Sequence, residues 1–523
     1  MGVSPVQPLL RLPTATALAV LGGLALAAAF PPFSFGPSAP VGVALLSAAL
    51  WRARLRRGVG LGLLSGLAFF IPLLSWMTVI GTDAWLLLAL ECAAWTMLIG
   101  IGSAVGSRLP GAPLWMAAWW VLAEALRGRI PWGGFPWGSL SFSQPDTPLA
   151  EWAAVGGTAF VTFTVALIGT CLAALAAHLS EARFRQAIAT GTLLVLVVVL
   201  SGPLGGWATP APSGRTASIA IVQGGTPQTG MGALDVRRAV LENHVAQTMT
   251  LAAAIDSGQV ERPSFVLWPE NSSDIDPFAD ASVAADISAA AQAVGVPILV
   301  GAVTTTPDDP DFVWNVGIVW DPERGPTQMY VKNRPVPFGE FIPFREQLAP
   351  LIGRFDRVPR DFAAGATPGN LTINGVSIGN VICFEIAYGD VVEAVVDGGA
   401  EVITVQTNNA TYAGTAQPEQ QLDISRIRAT ETGRTVLVAA TSGISAVIDP
   451  DRVVTERMEE GEQGWFIAEA ALVDEPTWAA AGGRAVEGIL LLISVVGLVW
   501  GVARSRRGTL PADLPSDATP AIT

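Results

Sequence analysis

Lysine is nearly absent from this 523-residue chain: of 30 basic residues, Lys332 is the only lysine. Histidine occurs twice, at His178 and His244, and cysteine three times, at Cys92, Cys171 and Cys383. Two histidines leave almost no material for a zinc centre built on imidazoles or for a Ser-His-Asp triad, so neither metal nor cofactor is expected. Cys92 and Cys171 lie in long apolar runs, which leaves the polar half one thiol and no possible internal disulfide. Positive charge is also scarce there, with 35 Asp+Glu against 16 Lys+Arg in residues 205–483, a net of −19. That balance excludes a nucleic-acid partner, which needs a basic footprint, and docking to anionic lipid heads through a polybasic patch. A zwitterionic lipid or a protein substrate fits it.

What is present is concentrated. The lone ammonium stands in Tyr330-Val-Lys-Asn-Arg334. Arginine replaces lysine poorly where a site needs a compact point charge or an amine that responds to burial. Codon bias with one surviving lysine is the competing explanation. One lysine and one cysteine in the polar half make a catalytic pairing.

Apolar residues dominate positions 1–204, and a last apolar run covers 485–503. About 20 such residues cross a bilayer core. The candidate spans are 13–30, 39–52, 58–79, 84–106, 112–126, 150–177, 186–204 and 485–503, too many to bury as core helices. The expected organisation is a membrane domain over 1–204 with about seven transmembrane helices, a globular domain over 205–483, a transmembrane helix at 484–503 and a cytoplasmic disordered tail at 504–523. Short arginine-rich loops stay cytoplasmic. Arg52, Arg54, Arg56 and Arg57, then Arg183 and Arg185, then Arg504, Arg506 and Arg507 fall on one side if the N-terminus is cytoplasmic, which sends 205–483 outside. Arg127 and Arg129 dissent.

Within 205–483, strands are expected at 218–223, 265–268, 298–300, 316–320, 402–406 and 436–439, and helices at 233–255, 279–293 and about 418–433. Asn374-Gly375 between two β-branched runs reads as a type I′ hairpin turn. Strands and helices mixed at this spacing give an α/β sandwich with helices outside. Glu270, Lys332 and Cys383 each follow a strand end. A cysteine flanked by Val381, Ile382 and Phe384 is ordinarily an inert buried thiol, and only the whole constellation argues otherwise.

That constellation has a family likeness. Leu267-Trp-Pro-Glu270, Lys332-Asn-Arg-Pro-Val-Pro-Phe-Gly-Glu340 and Ile382-Cys-Phe-Glu385 resemble the three motifs of the carbon–nitrogen hydrolase (nitrilase) superfamily. Eight spans around such a domain, with Val336-Pro-Phe-Gly-Glu-Phe-Ile-Pro343, Gly224-Gly-Thr-Pro-Gln228 and Gly134-Phe-Pro-Trp137, resemble its membrane branch, the apolipoprotein N-acyltransferase family. The likeness implies a nitrilase-like αββα domain on the extracytoplasmic side of a bacterial inner membrane. It implies catalytic Glu270, Lys332 and Cys383, with Glu340, Glu385, Gln228 and Phe384 in support. It also implies two partners within the bilayer, a phospholipid acyl donor and a diacylated apolipoprotein acceptor. The chain departs from the family at Thr229-Gly-Met-Gly232, where a tryptophan is common.

In such a site Glu270 takes the thiol proton, with Trp268 as an apolar wall that raises its basicity. Lys332 faces the developing oxyanion, Glu385 holds Lys332, and Glu340 holds the site loop. Trp132, Phe135, Pro136 and Trp137 read as an interfacial belt in contact with lipid, and residues 341–362 as a mobile amphipathic flap. Glu91 and Glu124 fall inside spans, and Glu124 is close enough to a helix end to reach the interface. The same sequence is compatible with a tethered amidase or nitrile hydrolase, or with a receptor that only binds ligand. The arginine asymmetry predicts that a phosphatase reporter fused near residue 300 is active only outside the cytoplasm. Inactivity there, with activity in a fusion after Arg507, reverses the orientation.

Overall fold

The computed structural model describes residues 9–232 and 238–507. The N-terminal half is helical: α1 (Leu12–Ala27), α2 (Ser38–Leu50), α3 (Leu55–Leu73), α4 (Thr82–Gly106), α5 (Ala112–Arg127), α6 (Trp152–Ser180), α7 (Phe184–Val199) and α8 (Ser201–Ala208). Four helices are long and apolar enough to cross a membrane: α3, α4, a 33-residue stretch containing α6, and Arg484–Arg504 near the C-terminus. The pair α7 and α8, bent by 41°, makes a fifth if it is one span. The remaining expected spans are shorter, with 16 residues in α1, 13 in α2 and 16 in α5. The span expected at 58–79 ends early, because Pro72 cannot continue the helical ladder and the chain tightens into a 3-10 turn.

Glycine spacing explains how α3 and α4 pack. Gly58, Gly62 and Gly66 recur every fourth residue and so share one face of α3. A Cβ on Gly58 would lie 2.6 Å from the Gly100 carbonyl oxygen, and one on Gly62 2.5 Å from that of Thr96. Only small residues permit that approach where no hydrophobic force drives helices together. The Thr96 hydroxyl uses the proximity and donates to the Gly62 carbonyl at 2.7 Å.

The polar half is built on β1 (Thr216–Gln223), β2 (Phe265–Leu267), β3 (Ile298–Thr305), β4 (Phe312–Asp321), β5 (Gly325–Val331), β6 (Asp361–Phe362), β7 (Asn370–Ile373), β8 (Val376–Ile382), β9 (Val402–Thr407), β10 (Val436–Ala440), β11 (Ser445–Ile448), β12 (Val454–Met458) and β13 (Gly464–Ala471). One sheet runs β13-β1-β2-β3-β4-β5, with β6 against β4, and the other runs β12-β11-β10-β9-β8-β7. Their facing sides form a dry layer in which Ile219, Phe265 and Leu299 meet Ile378, Val402 and Leu437. The first sheet's outer face carries α9 (Ala239–Asp256) and α10 (Ala281–Val294). After the short α11 (Arg345–Leu348), α12 (Gly389–Asp397) and α13 (Gln417–Thr432) cover the second sheet. The αββα sandwich is therefore present. Both central residues of the β7–β8 turn have positive φ, 48° at Asn374 and 80° at Gly375, as a type I′ turn requires.

Two expectations need adjusting at their ends. The helix placed at 233–255 begins at Ala239, and residues 233–237 lie outside the described residues. Of the tail placed at 504–523, residues 504–507 extend the last helix, α14 (Trp478–Arg507), and residues 508–523 lie outside the described residues.

No water layer separates the halves. One apolar cluster runs from Leu46, Phe70 and Val121 in the N-terminal helices to Val391, Ile424 and Val438 in the sandwich. At that junction α13 is polar along its length yet almost wholly buried. Gln420 resolves the conflict, accepting from the indoles of Trp137 at 2.7 Å and Trp76 at 3.1 Å and donating to the carbonyls of Pro31 at 3.0 Å and Leu73 at 3.2 Å. Orphaning a buried donor or acceptor costs about 1–3 kcal/mol. Gln420→Leu orphans several at once and is expected to lower stability by about 3 kcal/mol or more. Thermal unfolding in detergent checks this, and an unchanged midpoint would refute it.

Candidate active site

The ends of β2, β5, β8 and β9 converge, and each carries a side chain of the candidate site. Glu270 follows β2 and Lys332 follows β5, both buried. Cys383 follows β8 with φ at 56°, a left-handed conformation unusual for a residue with a Cβ. That turn lifts the thiol off the end of the strand while the chain continues into a 3-10 turn at Cys383–Ala387.

The lysine is the hub. Its ammonium donates to Glu340 Oε1 at 2.8 Å and to Glu270 Oε1 at 3.2 Å. Burial alone would depress its pKa, but Glu270 and Glu340 outweigh that cost and hold it well above the ordinary lysine value. Asn315, near the start of β4, ties the two acids together by donating to Glu270 at 2.7 Å and to Glu340 at 2.9 Å. The backbone amide of Asn408 donates to Glu270 Oε2 at 2.9 Å. Three donors leave at least one of a carboxylate's roughly four lone-pair sites free for a proton. These polar groups bond to Glu270, whereas Trp268, the expected wall, packs in the outer layer with its indole donating to Thr248.

The two remaining acids exchange the roles expected of them. Glu340 holds Lys332 and also accepts from the Val336 amide at 2.6 Å. Glu385 holds the loop, accepting from the amides of Asn333 at 2.8 Å, Arg334 at 3.0 Å and Ile382 at 2.8 Å and from the Tyr330 hydroxyl at 3.0 Å. Burial raises the pKa of Glu385, opposed by Lys332 and these donors. Burial also pushes the Cys383 thiol up to about 12, with the charge of Glu270 adding and that of Lys332 opposing. At neutral pH the thiol therefore keeps its proton.

One wall of the site comes from the helical half. Phe384 packs against both Trp137, at 5.5 Å and 7°, and Phe135, at 5.4 Å and 19°, and those two rings stack on each other at 6.4 Å. Trp137 is 1% exposed, so it belongs to the site wall rather than to an interfacial belt. The arginine that confused the orientation explains why the loop holds its shape: Arg127 is buried and donates to the carbonyls of Phe135 and Trp137. Trp132 is 48% exposed and meets Phe338 and Phe344 edge-on, so it does touch the segment expected to be a flap. That segment also reaches the first turn of α4 through an Arg354–Asp83 ion pair. Pro136 lines a separate cavity of about 480 Å3 between α5, α6 and the sandwich, whose walls include none of Cys383, Lys332 and Glu270. Glu124 lines that cavity too and accepts from Thr162 and the Leu140 amide, so it turns inward rather than to an interface. Gln228 is exposed, its backbone carbonyl accepts from the Thr226 hydroxyl, and its side chain makes no hydrogen bond among the described residues.

Among the described residues no group of three or more His, Cys, Asp or Glu side chains is placed to hold a metal ion. Asn315, Thr407 and Asn408 are site residues that the sequence did not reveal. A lone asparagine in the apolar run of β4 was the available signal for the first.

The family model described as apolipoprotein N-acyltransferase N-terminal domain matches residues 22–171, and that described as carbon-nitrogen hydrolase matches residues 219–480. The chain is 38% identical over 509 residues to the apolipoprotein N-acyltransferase of Mycolicibacterium smegmatis, covering 94% of this chain and 85% of that one. It is 30% identical to the apolipoprotein N-acyltransferase of Methylococcus capsulatus, over 83% of this chain and 85% of that one. An amidase from Nesterenkonia sp. is similar at 16% identity and a TM-score of 0.35, over 53% of this chain and 96% of that chain.

Replacing the buried ammonium by a wider planar cation tests the hub. Lys332→Arg is expected to fold and to react with an acyl donor at least about a hundredfold more slowly, the usual loss of one oxyanion donor. Single-turnover acylation measures this, and a near-normal rate would make the lone lysine an accident of composition.

Proposed function

The chain belongs to the apolipoprotein N-acyltransferase family and is an acyltransferase of the carbon–nitrogen hydrolase superfamily; we propose that Cys383, Glu270 and Lys332 carry its chemistry in two steps. In the first, Glu270 takes the thiol proton as Sγ attacks an ester carbonyl of a phospholipid. Lys332 stabilises the negative charge on that oxygen, the carbon–oxygen bond breaks, and Glu270 returns the proton to the departing lysophospholipid. A thioester remains on Cys383. In the second step, the α-amine of a diacylglyceryl-cysteine at a lipoprotein N-terminus attacks the thioester. Its proton passes to Glu270, the carbon–sulfur bond breaks, and an N-acyl amide leaves.

The observation that carries this reading is the joint construction of the site. Its nucleophile and charges come from the sandwich, and its aromatic wall, Phe135 and Trp137, comes from the loop after α5. A hydrolase working on soluble amides has no need of such a wall. Here the rings shield a thioester from water and offer a surface to an acyl chain, and Trp132, Phe344 and Leu351 extend that apolar surface outward.

All eight apolar helices lie in the bilayer in this reading, the short α1 and α2 packed against α3 and α6. The sandwich faces away from the cytoplasm of a bacterial plasma membrane. Two observations support that side: the arginine-rich loops share the opposite one, and Arg127 is consumed by loop carbonyls rather than free to oppose them.

Purified protein incubated with labelled phospholipid and a diacylated lipopeptide separates the possibilities. N-acylation of the peptide supports the reading, whereas release of free fatty acid alone identifies a hydrolase. Mass spectrometry is expected to find an acyl adduct on Cys383 that Cys383→Ala lacks. Persistence of the adduct in that variant assigns the nucleophile elsewhere.

A further inference from the structure

Thr407, the last residue of β9, is the one hydrogen-bond donor to the Cys383 sulfur among the described residues, at 3.4 Å from hydroxyl oxygen to Sγ. The hydroxyl has a second acceptor in reach, Asn409 Oδ1 at 3.3 Å. A hydroxyl has one proton, so it serves one acceptor at a time. The oxygen itself accepts from Gln421 Nε2 at 3.0 Å, and the same amide donates to the Cys383 carbonyl at 3.3 Å. Gln421 thus fixes the oxygen in place and leaves only the proton free to turn. Asn409 is fixed as well, its amide donating to Gln417 at 2.8 Å and Gln421 at 2.7 Å.

We propose that Thr407 is a catalytic residue whose hydroxyl turns its proton from Asn409 to the sulfur whenever Cys383 carries negative charge. This rests on Cys383 being the nucleophile. With the thiol intact, a neutral amide oxygen is the better acceptor and holds the proton. Once Glu270 has taken the thiol proton, the thiolate is the stronger acceptor, because bonds to ionised groups are about twice as strong as neutral ones. The same swing serves the second step. As the carbon–sulfur bond breaks, its electron pair returns to Sγ and Thr407 donates to the departing thiolate, while the amine proton goes to Glu270 and then back to sulfur. Thr407 keeps its own proton throughout. Lys332 cannot do this work equally well, since its ammonium is committed to Glu270 and Glu340 on one side and the oxyanion on the other. Burial, Glu270 and Glu340 all disfavour charge on this sulfur, and Lys332 is the one charged group that opposes them. A neutral donor that appears only when the charge does fills that deficit.

The full chain in detergent is labelled with iodoacetamide between pH 7 and 10, and the rate is read from the Cys383 peptide, which also excludes Cys92 and Cys171. Below the thiol midpoint the rate follows the thiolate fraction. Loss of a hydrogen bond to a charged group moves that midpoint by about one to two units, so Thr407→Val is expected to react about 10- to 100-fold more slowly at each pH. Thr407→Ala removes the hydroxyl without adding a methyl and must slow labelling similarly, while Thr407→Ser restores the rate. Equal rates in wild type and Thr407→Val overturn the proposal. So does Thr407→Ser slowed as much as Thr407→Val, which would assign the residue to packing. Alkylation needs no lipid, so failure of Cys383 to form an acyl adduct tells against the nucleophile and not against this donor.

Discussion

A buried ammonium held between two carboxylates organises this site. Taking one lysine and two acids out of water is costly, and mutual attraction offsets the cost only when geometry and extra hydrogen bonds are good. Asn315, the Asn408 amide and the Val336 amide supply those bonds, so Glu270 and Glu340 have few other positions open to them. Removing the lysine charge would leave two carboxylates unpaired in a low-dielectric site, at about 3–5 kcal/mol. The arrangement therefore locks β2, β4, β5 and the 333–340 loop into a single register. The thiol, by contrast, is left uncharged at rest.

The second constraint reaches across the molecule. Trp137 stacks on Phe384, its indole donates to Gln420, and the next residue of the same helix, Gln421, donates to Thr407 and to the Cys383 carbonyl. The loop after α5 is thus linked to the sulfur through three side chains, Gln420, Gln421 and Thr407. Helix α13 makes that possible by being polar where an outer helix of a sandwich would ordinarily be half apolar, because it faces another layer of protein and not water.

Much of this was legible in the sequence. The alternation of β-branched runs and helices located most strands of the sandwich, and the strand-end positions of Glu270, Lys332 and Cys383 anticipated their meeting. The roles of Glu340 and Glu385 were not legible, because each lies within a few residues of a site motif and only the turn at 336–341 decides which one faces the ammonium. Trp137 resembled an interfacial aromatic because composition cannot tell a ring facing lipid from one facing a second domain. Thr407 and Gln421 left no pattern at all, since their partners lie 24 and 38 residues away along the chain. Span number was the least legible quantity, since hydropathy ignores bends such as the one between α7 and α8.

Helix α14 lies against α4, α5 and α6, where Ser494 donates to the Ala118 carbonyl at 2.8 Å and Glu487 pairs with Arg129. Its slot in the bundle is formed by helices made first, while the helix itself starts at Trp478, 270 residues after α8 ends at Ala208. At ordinary synthesis rates of about 5–20 residues per second, that slot stands open for roughly 15–50 s during translation. The bundle closes behind the sandwich, so the order of synthesis makes the catalytic half a passenger of an unfinished scaffold.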